Sequence, residues 1–310
     1  MSNFTSQSSI NQENVDEFVF LKVYISLEIV ALALHILLQW VIYKLHVDEN
    51  QYYLIQMLSI FDSIFSILII CHIGYFISAT GRGTLPNQTL MVTLSFLSNV
   101  THASSMFVTT LIVIDRWIAV KYALRYHALV SKRKINITVL ISIIFCAFTL
   151  SCLFFIGDVR SVSTHKMFFT KGGILSFILV LRSITCVTMI VLGKLTIRLR
   201  DTSEANRPHA KNLHGVEAER LDILINLKRN VKDVMKLNIW TCVFLVPMIF
   251  CTLILLVSDV SEIGFKLNAV FGLVNVISNP IVYLTCFTRI RQYWLRRWFQ
   301  RGTVNPDGSK

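Results

Sequence analysis

Asn279-Pro280-Ile281-Val282-Tyr283 lies near one end of the last long apolar stretch of this 310-residue chain. A proline inside a helix removes one backbone hydrogen bond and crowds the preceding turn. In a bilayer the carbonyl group freed in this way needs another donor, because no water is at hand. Asn279 places an amide beside the expected kink, and Tyr283 follows one turn later on the same face. The pentapeptide therefore predicts a kinked transmembrane helix with inward-facing polar groups, which is typical of a segment that moves.

The composition also indicates a membrane protein, because 54% of the residues are hydrophobic and only 15% are charged. Each apolar run reaches the roughly 20 residues that a helix needs to cross about 30 Å of hydrocarbon. None shows the sustained alternation of a membrane strand. We therefore predict an all-α membrane protein, a seven-transmembrane helix bundle. The seven runs are Phe18–Tyr43, Tyr52–Ile77, Leu90–Val120, Ile135–Ile156, Gly173–Leu195, Val234–Val257 and Ile263–Phe287.

Lysines and arginines are concentrated on one side of the predicted bundle. Five lie in the loop after the third run, ten between Lys194 and Lys236, and six in the C-terminal tail. The opposite side carries six. Because cytoplasmic loops are enriched in these residues, the N-terminus is predicted outside and the C-terminus inside. The net charge of +12 is then mainly cytoplasmic, where it suits anionic membrane lipid and an acidic protein partner rather than nucleic acid.

These features divide the chain into three segments. Residues 1–17 are predicted to be extracellular, residues 18–288 to form the seven-transmembrane domain, and residues 289–310 to form an amphipathic cytoplasmic helix and tail. The localisation that follows is a multi-pass protein of the plasma membrane. Sequons at Asn3 and Asn87 fall on the predicted outer side and are candidate glycosylation sites.

Four polar residues inside the predicted spans indicate a buried polar site. A bare carboxylate such as Asp62 is costly in a membrane and usually functional. Together with the Ser105 hydroxyl and the Asn275 and Asn279 amides, it could hold a sodium ion, because hard cations favour oxygen ligands. The alternative is a hydrogen-bond network around a protonated Asp62. No other cofactor is predicted.

Asp115-Arg116-Trp117 closes the third run at its predicted cytoplasmic border. Arg116 could pair with Asp115, or release it and donate to another helix or to a docked partner. Asp-Arg pairs at helix ends are often surface ion pairs of little energy. Ser105 lies eleven residues earlier, about three turns, and so shares a face with Arg116. This placement favours a functional role.

The chain resembles rhodopsin-like (class A) G-protein-coupled receptors over nearly its whole length. The loop Tyr122-Ala123-Leu124-Arg125-Tyr126-His127 further resembles that of melanocortin-type receptors, in a branch with the cannabinoid and lysosphingolipid receptors. The wider resemblance is carried by Leu58 with Asp62, Ser105 with Asp115-Arg116-Trp117, Pro247, the set of Asn275 with Asn279-Pro280-Ile281-Val282-Tyr283, and the basic stretch that follows.

The resemblance implies a ligand cavity among the outer halves of the helices, faced by Ser98, Asn99 and His102 from the third. Aminergic receptors carry an aspartate at the place of Ser98, so a monoamine ligand is not expected. His72 stands where melanocortin receptors carry an acidic group. Arg182 is a charge within the fifth run, which requires a partner or an anionic ligand, or else snorkels outward.

The resemblance also implies a G-protein partner and assigns the activation switch to Asp115, Arg116, Pro247, the Asn279-Pro280 pair and Tyr283. Two departures stand out: Leu245 replaces the aromatic switch residue, and Leu227-Lys228-Arg229 replaces an acid that often holds Arg116. The second departure predicts raised basal activity.

The predicted function is a receptor that converts binding of an extracellular ligand into G-protein activation through a change of the helix bundle. Alternatives are a constitutively active receptor, a silent or decoy receptor and, more remotely, a transporter or ion pathway built on Asp62. An enzyme is not predicted, because no nucleophile, base and acid recur at a suitable spacing.

Overall fold

The computed structural model describes residues 3–45, 50–122, 125–156, 173–205, 239–243, 245–255, 262–287 and 290–293. This part of the chain is helical apart from short turns, and no strand occurs in it. A one-turn helix, Tyr126–Leu129, links the third and fourth long helices. The long helices are α1 (Asn3–Leu45), α2 (Asn50–Gly81), α3 (Gln88–Lys121), α4 (Lys132–Ile156), α5 (Gly173–Ala205), α6 (Ile239–Leu255) and α7 (Glu262–Cys286).

Six of these helices are long and apolar enough to cross a membrane. The exception is α6, whose described part is shorter. The remainder of the predicted sixth run, at its two ends, lies outside the described residues. The prediction of an all-α membrane bundle from the apolar runs is therefore confirmed.

Two helices extend well beyond their apolar runs. Helix α1 begins at Asn3, inside the predicted N-terminal segment, and α5 continues ten residues past Leu195 to Ala205. Hydropathy marks only the part of a helix that lies in hydrocarbon, whereas backbone hydrogen bonding continues into water. The predicted cytoplasmic helix and tail lie outside the described residues except for residues 290–293, which are helical.

Helix α3 lies at the centre of the bundle and packs against α2, α4 and α5, while α1 packs against α2 and α7. The largest apolar cluster joins α1, α2, α3, α4 and α7 at the Arg116 end, and it includes Leu38, Ile55, Ile112 and Tyr283. On α4 several large apolar side chains point away from the bundle. Ile137, Leu140, Ile141, Ile144 and Phe148 are all exposed, which gives this helix a face suited to lipid.

The turn between α2 and α3 places Asn87 at the start of α3. Gly83 adopts a φ of +66°, the left-handed region that glycine enters without a steric cost. Asn87 is exposed, and its Oδ1 accepts a hydrogen bond from the backbone N–H of Leu90, at 3.3 Å, as a helix N-cap. The exposed position is compatible with glycosylation, which stays a prediction. The side chain of Asn3 lies outside the described residues.

Candidate functional site

Asp62 is the centre of a buried polar network between α2, α3 and α7. Ser105 donates a hydrogen bond from Oγ to Asp62 Oδ1 at 2.5 Å, and Asn279 donates from Nδ2 to Oδ2 at 3.0 Å. His35 on α1 adds a ring nitrogen, with Nε2 at 3.8 Å from Oδ2. Asp62 is 2% exposed and both of its carboxyl oxygens are engaged, so it joins four helices near the middle of the bundle.

Pro280 lies inside α7 and cannot donate to the carbonyl of Val276, four residues earlier. That oxygen lies 3.1 Å from His35 Nε2. The predicted substitute partner therefore comes from α1, while the neighbouring amide of Asn279 is directed to Asp62. His35 Nδ1 lies 3.2 Å from Ser59 Oγ on α2, so the imidazole connects three helices at the proline.

The chemistry of the four predicted ligands partly fits a sodium ion. Asp62 and Ser105 supply oxygen atoms, and Asn275 Oδ1 is a buried acceptor without a hydrogen-bond partner among the described residues. Asn279 directs N–H to the carboxylate and so contributes a hydrogen bond rather than an oxygen ligand. Three of the four predicted ligands thus offer the chemistry that a hard cation needs, and Asn279 orients the carboxylate.

Arg116 takes part in a second network at the end of α3. Its Nε and Nη2 donate to Asp115 Oδ2, at 2.9 and 2.5 Å, and Nη1 donates to Gln51 Oε1 on α2 at 2.5 Å. Tyr126, in the one-turn helix after α3, donates from its hydroxyl to Asp115 Oδ1 at 2.5 Å. The pairing of Asp115 with Arg116 was an expectation from the sequence, but Gln51 and Tyr126 were not recognised as partners.

Tyr126 is held as a neutral donor in this network. Burial, together with the negative charge of Asp115, raises the pKa of the Tyr126 phenol above its ordinary value near 10. The phenol therefore keeps its hydrogen at physiological pH and continues to donate to Asp115. The network combines one cation, one anion and two neutral groups, and it closes the Arg116 end between α2 and α3.

A cavity of about 80 Å³ lies among α1, α2, α3, α5 and α7, away from the Arg116 end. Four of the predicted ligand-contacting residues line it, namely Ser98, Asn99, His102 and Arg182. Its other lining residues with polar atoms in their side chains are Asn268 on α7 and Tyr24 on α1, and its remaining walls are apolar. The lining residues on α1 and α2 are Phe20, Leu21, Tyr24, Phe65, Ile69 and Ile73.

His72 does not line this cavity, although it was a candidate. It is buried on α2, but the cavity contacts of that helix are Phe65, Ile69 and Ile73, spaced by one turn. His72 precedes Ile73 by one residue, which rotates its side chain by about 100° around the helix. The side chain therefore leaves the stripe that faces the cavity.

Two further residues of the predicted switch can be placed. Tyr283 is buried, and its hydroxyl has no hydrogen-bond partner among the described residues. Pro247 on α6 is half-buried. Leu245, at the place of the aromatic switch residue, is buried in an apolar cluster with Met106 and Leu181. A leucine there fills the space between α3, α5 and α6 without a polar atom.

Helix α3 connects the cavity with the Arg116 network. Asn99 and Arg116 are seventeen residues apart, which corresponds to about 25 Å along a helix. Ser105, with its bond to Asp62, lies between them. One helix thus carries a residue of the cavity, of the buried carboxylate network and of the terminal ion pair.

Residues 17–199 match the model of a family described as serpentine type 7TM GPCR chemoreceptor Srbc. The match covers more than half of the chain and includes Asp62, Arg116 and Arg182. No curated protein matches the sequence. The match shows a chemoreceptor of the G-protein-coupled type, whereas the rhodopsin-like class and the melanocortin-type branch inferred from the motifs stay predictions. The chain belongs to the serpentine type 7TM GPCR chemoreceptor Srbc family.

Proposed function

We propose that this protein is a plasma-membrane chemoreceptor that converts binding of an extracellular ligand into activation of a heterotrimeric G protein. The observation that carries this proposal is the arrangement along α3, where a cavity with polar walls lies about 25 Å from a closed Arg116 network. The distribution of lysine and arginine supports an outward-facing cavity and a cytoplasmic Arg116.

A two-state mechanism follows from this arrangement. In the closed state Arg116 is bound by Asp115 and Gln51, so its guanidinium is unavailable to a partner protein. A ligand that binds the cavity more tightly in the open state shifts the population toward that state. Opening separates α2 from the end of α3, and Arg116 then becomes a donor for the G protein.

The rhodopsin-like relay is proposed for the middle of the bundle. Tyr283 follows Pro280 by about one turn, and its hydroxyl, which has no partner among the described residues, is a buried polar group that costs free energy in the closed state. A rearrangement of α7 at the proline would give this hydroxyl a partner. We also propose that sodium binds at Asp62 and that anionic lipid binds the basic cytoplasmic side. Asn3 and Asn87 are the proposed glycosylation sites.

The experiment is a G-protein activation screen in cells that express the receptor, with measured surface expression. An activating compound should lose its effect in Arg116→Ala, while Arg133→Ala, at an exposed arginine of α4, keeps it. Undiminished activation in Arg116→Ala would remove Arg116 from the mechanism. A receptor that binds compounds at the surface but never activates a G protein would be a silent or decoy receptor instead.

A further inference from the structure

Arg182 is a buried charge with only neutral partners among the described residues. Its side chain is 3% exposed, on the wall of the cavity. The guanidinium donates to Thr252 Oγ1 at 2.5 Å, to Asn268 Oδ1 at 3.0 Å and to the Met248 carbonyl at 3.5 Å. In the described part of the chain, no carboxylate lies within 4.0 Å of it. A buried cation without a counter-charge is costly, so the site requires an anion.

The hydrogen bonds of Arg182 leave one edge of the guanidinium available. All three start at Nη1, and Nε is buried without an acceptor in the described part of the chain. Nη2 donates to no described residue. The three protein bonds fix the plane of the group, while Nε and Nη2 form the fork that binds two carboxylate oxygens.

The rest of the cavity defines the body of the ligand. The walls formed by α1 and α2 are apolar and partly aromatic, with Phe20, Tyr24 and Phe65 among the lining residues. The volume of about 80 Å³ exceeds several times the roughly 10–15 Å³ that a single water requires. The cavity thus has a cationic pole at Arg182 and an apolar half opposite.

We propose that the cavity binds a small carboxylic acid, whose carboxylate pairs with the Nε–Nη2 edge of Arg182 and whose apolar body lies against α1 and α2. This assignment rests on the proposed receptor function and names the ligand class for the same site. Arg182 orients the acid, and the apolar walls select its shape. The amide of the same carbon skeleton is neutral and the amine is positively charged, so neither offers the negative charge that the guanidinium edge binds.

The test uses the purified full-length receptor and three matched probes, hexanoate, hexanamide and hexylamine, at constant sodium concentration. A ligand that binds the folded state raises the midpoint of thermal unfolding. Hexanoate should raise it, and the other two should not. Arg182→Met should lose the effect of hexanoate, and Arg182→Lys should reduce it, because lysine retains the charge without the fork. Arg198→Met, at an exposed arginine of the same helix, should keep it.

Hexanoate that stabilises the receptor no better than hexanamide would overturn the assignment, as would an undiminished effect in Arg182→Met. The ligand-free variant gives a second measurement. Removal of an unpaired buried charge should leave the midpoint of Arg182→Met unchanged or higher, because the Thr252 hydroxyl can still donate to Asn268 Oδ1 or to Met248 O. A clear decrease would mean that a carboxylate of the chain neutralises Arg182, which contradicts a ligand site.

Failure of this assignment is distinguishable from failure of the proposed function. Unfolding of the purified protein reports binding alone, and the cellular assay reports coupling. Arg182-dependent stabilisation by hexanoate without G-protein activation would retain the ligand class and reject the coupling. Activation by neutral or cationic compounds that does not depend on Arg182 would retain the coupling and reject the ligand class.

Discussion

His35 Nε2 lies 3.1 Å from the carbonyl oxygen of Val276, the oxygen that Pro280 leaves without a backbone donor. A carbonyl oxygen can only accept, so Nε2 carries the hydrogen of this bond. The imidazole thus replaces a backbone amide at the kink and connects α1 to α7. Since His35 also lies beside Asp62, the kink and the buried carboxylate share one neighbour.

The first prediction concerns the stability of this kink. His35→Leu leaves the Val276 carbonyl buried and unpaired, and we expect it to lower the free energy of unfolding by about 1–3 kcal/mol. Pro280→Ala restores an N–H at the position that bonds Val276. In that background the cost of His35→Leu should be clearly smaller, which a double-mutant cycle of denaturant or thermal unfolding measures.

Gln39→Leu provides the control for this cycle. Gln39 lies one turn from His35 on α1 and bonds Ser63 Oγ at 3.1 Å, away from the proline. Its substitution should cost the same with and without Pro280. Equal costs of His35→Leu in the two backgrounds would show that the histidine does not replace the missing amide.

The sequence could predict the need for this bond but not its donor. Proline chemistry alone requires a substitute for the lost N–H. The nearest candidate, Asn279, is bonded to Asp62 instead, and the donor is 241 residues from the acceptor. Such a pair depends on the packing of α1 against α7, which hydropathy does not encode. The lengths of the apolar parts of the helices were predictable from hydropathy, because the bilayer thickness sets that length.

The second prediction concerns sodium. If Asp62, Ser105 and Asn275 hold the ion, the purified receptor should unfold at a higher temperature in sodium than in choline buffer, and Asp62→Asn should remove the difference. Asn275→Ala should reduce it, because Oδ1 is then lost as a ligand. Asn279→Ala should weaken the effect less, since Asn279 orients the carboxylate through an N–H.

A variant outside the network serves as the control for ion binding. Ser104→Ala changes a hydroxyl that donates to the Val100 carbonyl of its own helix, and it should keep the response to sodium. Equal unfolding temperatures of the unmodified receptor in the two buffers would argue against a cation at Asp62. Asp62, Ser105 and Asn279 would then form a hydrogen-bond network only.

The third prediction is a pH dependence that originates at Tyr126. Its folded-state pKa is raised above the unfolded value near 10, so the folded state keeps a proton that the unfolded state releases. The stability contributed by the neutral phenol is present below about pH 10 and is lost as the pH rises through the folded-state pKa. Tyr126→Phe should reduce this alkaline loss, whereas Tyr122→Phe, at an exposed tyrosine, should leave it unchanged.

Unfolding of the purified receptor between neutral pH and about pH 11 measures the difference. The same slope in the unmodified receptor and in Tyr126→Phe would mean that another group is responsible. Below about pH 9 the two proteins should differ by a constant amount, which reports the hydrogen bond to Asp115.

The sequence indicated that Arg116 is a functional residue, but it did not indicate all of the residues that bind its side chain. Asp115 is its neighbour in the chain and was an evident partner, whereas Gln51 lies 65 residues earlier, in the first turn of α2. A polar residue at the start of a helix usually faces water, so nothing in the local pattern distinguishes Gln51. In the structure it is 2% exposed. Leu227-Lys228-Arg229, from which raised basal activity was predicted, lies outside the described residues.

The last prediction revises the basis of that basal activity. Gln51 gives the closed state a neutral acceptor for Arg116, in place of the acid that similar receptors carry elsewhere. Gln51→Ala removes a hydrogen bond to a charged group and should raise ligand-free signalling at matched surface expression. A loss of about 1.4 kcal/mol from the closed state changes a small active fraction nearly tenfold. Gln51→Glu adds an ion pair and should lower basal signalling.

Gln56→Ala, at a half-buried glutamine of the same helix, should leave basal signalling unchanged. If Gln51→Ala and Gln56→Ala signal alike without ligand, while an agonist still activates both, then Asp115 alone holds Arg116 and the bridge to α2 has no part in the closed state.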